Sequence, residues 1–462
     1  MERRETFTAE SFNFISHSAL LVFGWSLEKV DVLIRGCMVL PMKDRSVIED
    51  GAVAIKDGKI VFIGKASACG FKAEKTVDAK GKAALPGLIN CHTHVAMTLF
   101  RGLAEDRPLN VWLREAIWPL EAKLRGDDVY AGTLLGCLEM LKSGTTCFAD
   151  MYFYERSVAE AVRESGIRGV LAEGIIEAGD KQLGEKMLND SVAFAGSFNG
   201  FAEGRVTTML APHAAYSCSP ELLRRVGGKA SELGVGIHIH LAESAEMFRD
   251  FEKLYGCGEV EFLDRLGIFE AHVLAAHCID LSDTDMRVLA SRGVNVVHVP
   301  VANMKLGLGA ARVKELVDLG VNVALGTDGP ASNNTLDMFE TMKVAALLQK
   351  HVYRNPEALS AFQVLRMATL NGAKALGLDG LIGSLEVGKR ADIVLVDLSK
   401  PHLKPLHDVY AALVYSARGS DVDTVIVDGK IVVENRVVKT LDEEAVMEKA
   451  EKHAADLLAR KL

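Results

Sequence analysis

No Cys-x-x-Cys pair occurs among the eight cysteines of this 462-residue sequence. That argues against a structural zinc knuckle or a disulfide frame, and fits reduced thiols in a cytoplasmic protein. Basic residues are also short: 53 Lys and Arg stand against 62 Asp and Glu, a formal net charge of −9. Neither nucleic acid nor an anionic membrane surface is therefore expected as a partner. No apolar run reaches the length needed to cross a bilayer. The patch Ala19 to Trp25 is short, follows a mixed-charge leader and lacks a small-residue cleavage pattern, so no signal peptide is expected. No glycine-rich phosphate loop follows the first strand of the central region, which disfavours a doubly wound nucleotide fold. What is present, 49% apolar and 25% charged residues, is globular composition at a length that suits an α/β barrel with an appendage.

Along the chain, residues 1–29 have no clear periodicity and are expected to be a poorly ordered, dispensable extension. From Val30 the texture is strand-turn-strand: VDVLIRGCMVLPM, then GAVAIKDGKIVFIGK with Asp57-Gly58 at the turn. ADIVLVDL and DTVIVDGKIVVENRVV, turning at Asp428-Gly429, repeat it near the far end. Residues 30–83 and 385–440 are thus expected to meet in one small flanking β-sandwich, with residues 441–462 as a C-terminal helix. Across residues 84–384, eight strand-like runs alternate with helical stretches such as Val129 to Ser143, Ser157 to Ser165 and Val313 to Leu319. The runs are LPGLINCHTH, TTCFADMYF, RGVLAEGII, RVTTMLAPHAAY, VGIHIHLAE, HVLAAHCID, VNVVHVPVAN and VNVALGTDG. The alternation predicts an α/β fold, a (β/α)8 TIM-like barrel whose chemistry sits at the C-terminal ends of the strands.

Polar residues gather at those ends. The first run supplies His92 and His94, which share one strand face two residues apart. The fourth ends in His213, the fifth in His238 and His240 with Glu243 three residues on, the sixth in His277, the seventh in His298 and the eighth in Asp328. A single strand histidine, as His238 and His298 are read, is usually a satisfied core residue. His272, His351, His402, His407 and His453 fall elsewhere and read as surface or packing residues. Several histidines, a glutamate and an aspartate converging on one barrel mouth need a shared partner, and a cation is the obvious one.

PGLINCHTH, HLAESAE, AAHCIDL, LGTDGPASNN and VGKRADIVLVDL resemble the amidohydrolase superfamily, and most of all its deaminases of 5′-methylthioadenosine and S-adenosylhomocysteine. The resemblance runs from about Val30 to Val438. It implies that His92, His94, His240 and Asp328 ligate a metal, that Glu243 shuttles a proton and that His277 is a second catalytic histidine, with Asp328 also acting in catalysis. Three neutral imidazoles and one carboxylate suit Zn²⁺, with Fe²⁺ the alternative. Binuclear members of the superfamily use a modified lysine at the end of the fourth strand; LAPHAAY has none, so one divalent ion per subunit is expected. Such an ion lowers the pKa of water. Glu243 then carries a proton to a ring nitrogen, Asp328 passes one to the departing ammonia, and His277 orients the attacking oxygen.

For the substrate, the resemblance implies that Glu121, in IWPLEAKL, holds the ribose hydroxyls and that His213 contacts base and ribose, with Glu243 and Asp328 at the reacting end. Trp112 and Trp118 read equally as pocket wall or core. Two departures stand out: Val299 and Ala302 replace polar groups of the family's His-Asn-Pro-x-Ser-Asn segment, and Glu173 stands where some homologues carry an arginine for the homocysteine carboxylate. The leading expectation is a cytoplasmic homo-oligomer (dimer or tetramer) that deaminates 5′-modified adenosines, a small-molecule nucleoside substrate. A second keeps barrel and metal but takes another heterocycle, such as guanine or a triazine. A third is a non-catalytic paralogue, which should have lost ligands that this sequence keeps.

Overall fold

The computed structural model describes residues 29–461. The expected N-terminal extension lies outside the described residues, except for Lys29, which opens the first strand of the flanking sheet. Among the described residues no helix is long and apolar enough to cross a membrane.

Eight strands form one sheet in sequential order. They are β1 (Leu88–Thr93), β2 (Thr145–Tyr152), β3 (Arg168–Ile175), β4 (Val206–Pro212), β5 (Gly236–Leu241), β6 (Val273–His277), β7 (Asn295–His298) and β8 (Asn322–Leu325). Every neighbouring pair is parallel. All eight runs read from the sequence are therefore strands. They are covered on both faces, which is why they read as continuous apolar runs without alternation. Alternate positions, among them Cys147, Ala149, Met151, Val170, Ala172, Met209 and Leu274, form an apolar cluster of their own inside the barrel.

Side chains close the seam between β1 and β8. Asn90 donates to the Thr327 hydroxyl at 2.7 Å and accepts the Thr327 N–H at 2.9 Å, and the Asp328 N–H donates to the His92 carbonyl at 3.0 Å. The bonds that shut the barrel thus also bring His92 and Asp328 together.

The helices relevant to the site are α1 (Gly126–Lys142), α2 (Glu155–Ser165), α3 (Lys181–Phe198), α4 (Glu259–Arg265) and α5 (Glu443–Ala459). Between β1 and α1 the chain coils through Leu109–Trp112, a wide turn at Leu113–Ile117, and Trp118–Glu121. Pro119 has no N–H to give the preceding turn, which accounts for the widening.

A separate nine-stranded mixed sheet draws on both chain ends. Lys82–Pro86 pairs antiparallel with Ile393–Asp397 and joins the two contributions. The turns at Asp57-Gly58 and Asp428-Gly429 both have positive φ, as expected of tight hairpins. They press together: a Cβ on Gly429 would lie 2.5 Å from the Gly58 Cα. Arg168, at the start of β3, ties barrel to sheet with a two-pronged pair to Asp392, both bonds at 3.1 Å. Each partner is almost fully buried, so removing either would strand a buried charge.

Candidate active site

Burial sets the character of this site before any ligand is considered. His92, His240 and His277 are buried at the barrel mouth, with His94 only slightly more open. Burial, reinforced by the other imidazoles, pushes His92 and His240 well below the ordinary histidine range. These rings are neutral and keep a lone pair. His213 falls to about 4 and His238 to about 3, again chiefly through burial.

Hydrogen bonds decide where the lone pairs point. His94 Nδ1 donates to the Met151 carbonyl at 2.6 Å, and His240 Nδ1 donates to the His213 carbonyl at 2.8 Å. A carbonyl only accepts, so each Nδ1 carries the hydrogen and each Nε2 is left free. His92 Nδ1 lies 2.9 Å from His238 Nε2, and His92 Nε2 is buried without a partner. The free atoms converge. His94 Nε2 is 3.3 Å and His92 Nε2 3.6 Å from Asp328 Oδ1, and His94 Nε2 is 3.4 Å from His240 Nε2. Two sets, His92 with His94 and Asp328, and His92 with His240 and His277, each offer ligand atoms within 4.8 Å of one another. An orphaned buried nitrogen among neutral imidazoles and one carboxylate is a donor set that fits a Zn²⁺-like ion.

The backbone is bent to make this possible. His277 and Asp328 both hold positive φ, 72° and 67°, a strained conformation for residues with a Cβ. Gly326 lets β8 approach: a Cβ there would sit 2.9 Å from the His92 backbone nitrogen.

Glu243 faces the cluster, its Oε1 3.8 Å from His277 Nε2. Burial raises its carboxyl pKa, His277 opposes the rise and Asp328 adds to it. His277 Nδ1 donates to Asn303 Oδ1 at 3.0 Å, which turns its Nε2 inward. One cavity is lined by His94, His240, His277, Asp328, Glu243, His213 and Glu121. Every residue singled out from the sequence for metal, catalysis or substrate therefore meets in one place, His92 lying just behind. Glu121 sits beside the Tyr152 hydroxyl, and its carboxyl is raised, above all by burial. Trp112 and Trp118 both wall the cavity; Trp112 is buried and Trp118 is exposed at its rim. The Val299 and Ala302 departures leave a trace: both His298 ring nitrogens and Asn303 Nδ2 are buried without partners.

Glu173 lies in the wall of the neighbouring outer pocket. Both its oxygens are spent on the start of α2, accepting the Tyr154 N–H at 3.0 Å and the Glu155 N–H at 2.8 Å. It is an anchor for that helix, and its carboxylate is not free for an incoming group.

Comparisons with known proteins show the family. Residues 83–432 match the family model described as the amidohydrolase family. The chain belongs to the amidohydrolase family. It is 50% identical to a 5′-deoxyadenosine deaminase of Methanosarcina mazei over 431 residues, 93% of this chain and 99% of the relative. It is also 50% identical to a 5-methylthioadenosine/S-adenosylhomocysteine deaminase of Desulforudis audaxviator over 429 residues, 92% of this chain and 99% of the relative. Among solved structures it resembles an adenosine deaminase from Xanthomonas campestris with bound zinc, at a TM-score of 0.89 and 36% identity, covering 94% of this chain and 100% of the other.

The sequence reading missed a buried acid pair beneath the site. Asp150 accepts the Thr93 hydroxyl at 2.6 Å and the Val95 N–H at 2.8 Å, so it fixes the turn on either side of His94. Its other oxygen, and both oxygens of the fully buried Glu155, have no hydrogen-bond partner of good geometry. Polar residues at strand ends picked out the histidines, and the same signal at the end of β2 would have found Asp150.

Burial, then the neighbouring Asp150, push the Glu155 carboxyl well above its ordinary 4.5. The folded protein keeps a proton there that the unfolded chain releases above about pH 4.5. Stability should therefore fall as pH rises above that value. Glu155→Gln, neutral and able to donate to Asp150, should remove that loss. In denaturant unfolding we expect the variant to be more stable than the parent at pH 8 and to match it near pH 4.5. A variant less stable at pH 8 would mean that Glu155 is ionised in the fold.

Proposed function

We propose that this protein hydrolyses the 6-amino group of adenosines with a modified 5′ position, consuming water and yielding the inosine analogue and ammonia. The observation that carries the reading is the buried Glu243 carboxyl opposite His277, at a cluster of neutral imidazoles and Asp328, in one cavity with Glu121 and His213. Relatives bearing the 5′-deoxyadenosine and methylthioadenosine names support it.

His92, His94, His240 and Asp328 would hold one divalent ion, zinc or iron, which when bound supplies the Lewis acidity that brings water close to ionising near neutral pH. The rest falls to the chain's own groups. Glu243 takes a proton from water and delivers it to the purine N1, which leaves C6 electron-poor. Burial suits it to both halves of that task, since raising a carboxyl pKa makes the carboxylate a stronger base toward water. Asp328 takes the second proton and hands it to the leaving amine. His277, its Nδ1 hydrogen held by Asn303, turns its Nε2 toward the attacking water and orients it by accepting a hydrogen bond. Glu121 accepts hydrogen bonds from the ribose hydroxyls, and His213 lies between ribose and base.

The 5′ arm then leads away from the cluster into an outer lobe walled by Phe153, Ile176, Leu183, Met187 and Phe194. Its charges cancel. Lys186 pairs with Asp190 at 2.7 Å, and Arg156 lies over the Phe198 ring and faces Glu173. An apolar arm is welcome there, while a homocysteine carboxylate meets no uncommitted cation.

In the metal-replete protein, Glu243→Gln should keep its ion and lose at least about a hundredfold in kcat, the scale of general acid–base catalysis. Near-normal turnover would remove Glu243 from the mechanism. Ammonia release from a panel of substrates should give 5′-deoxyadenosine and 5′-methylthioadenosine a kcat/KM about tenfold above that of S-adenosylhomocysteine, roughly 1.4 kcal/mol of transition-state binding. Guanine or a triazine turned over faster than any nucleoside would overturn the assignment, and S-adenosylhomocysteine as the best nucleoside would overturn the account of the outer lobe.

A further inference from the structure

Glu243 leaves β5 through Ala242, and the conformation of that one residue aims it. Ala242 has φ 49°, left-handed for a residue with a Cβ. Three hydrogen bonds hold it there. Its carbonyl accepts the N–H groups of Ile279 at 2.9 Å and Asp280 at 3.1 Å, from the segment that follows His277. Its own N–H donates to Glu259 Oε2 at 2.9 Å. The first two donors are backbone; Glu259 is a side chain. It reaches in from the first turn of α4, sixteen residues beyond Glu243, and is 3% exposed.

A carboxyl is a costly choice for such a place. Burial pushes Glu259 up to about 7, the Ala242 N–H pulls it down, and nearby Glu243 raises it again. The amide N–H is what repays the group for being there. A strained residue beside a catalytic one persists where its surroundings over-determine it, and here one removable contact completes that set.

We propose that Glu259 is a positioning residue for the deamination: it locks the Ala242 amide, and through it sets the carboxyl of Glu243 against His277 and the substrate. The proposal rests on the reading of Glu243 as the proton carrier. Glu259 itself touches neither the substrate nor the cation-holding cluster. Losing it should therefore lower kcat while KM and metal content hold.

The test compares Glu259→Gln, Glu259→Leu and Glu259→Asp in the metal-loaded enzyme with 5′-deoxyadenosine. Gln keeps an acceptor oxygen at the same reach and should stay within about threefold of the parent. Leu removes the acceptor and should cost about tenfold or more in kcat with KM within about twofold. Asp withdraws the acceptor by one methylene and should show the same split, so it decides the matter if the Leu variant does not fold. Placed in a Glu243→Gln background, Glu259→Asp should cost nothing further, because the group it positions is already gone. Unchanged kcat in Leu and Asp, a loss carried by KM or metal content, or additive losses in the double variant would each overturn the proposal. Full activity of Glu243→Gln alone would instead overturn the reading beneath it, so the two failures are told apart.

Discussion

Neutral imidazoles packed around a buried carboxylate are a poor way to fill the mouth of a barrel. Each ring nitrogen that faces inward gives up water, and His92 Nε2 gains no protein partner in return. Such an arrangement is stable when one cation satisfies all the free lone pairs together. The rest of the structure follows from that demand. The barrel seam is shut by bonds from residues flanking His92 and Asp328, so closing the sheet and assembling the cluster are one event.

The next layer is mostly backbone. Carbonyls of Met151 and His213 fix the tautomers of His94 and His240, the Asn303 amide turns His277, and the Ala242 peptide carries Glu243. Left-handed residues at His277, Asp328 and Ala242 show the chain held in costly conformations where it bears chemistry. In the loop that carries His213, one residue acts twice: its carbonyl orients His240 while its ring faces the cavity.

Much of this was legible in the sequence, for a physical reason. Parallel strands in a barrel are buried on both faces and stop abruptly, so a histidine or an acid at the end of an apolar run stands out against its neighbours. That signal located all eight strands and the residues the cavity gathers. The hairpin turns at Asp57-Gly58 and Asp428-Gly429 were equally plain, because few residues tolerate positive φ twice in succession. What stayed hidden were contacts with no local pattern. A backbone carbonyl has no letter of its own, and the partnership of Glu155 with Asp150, or of Glu259 with Ala242, depends on helices folding back over strand ends. Glu173 was legible only in part. Position beside the pocket was visible, whereas the two amide groups at the start of α2 that claim its carboxylate were not.

The central claim is that three imidazoles and Asp328 hold a single divalent ion on which the activity depends. Metal content per chain, measured on the purified protein alongside His240→Ala, tests it most directly. The account predicts about one zinc or iron ion per chain in the parent, and loss of both ion and deamination in the variant. Two ions per chain, or full deamination by a chain stripped of metal, would contradict it.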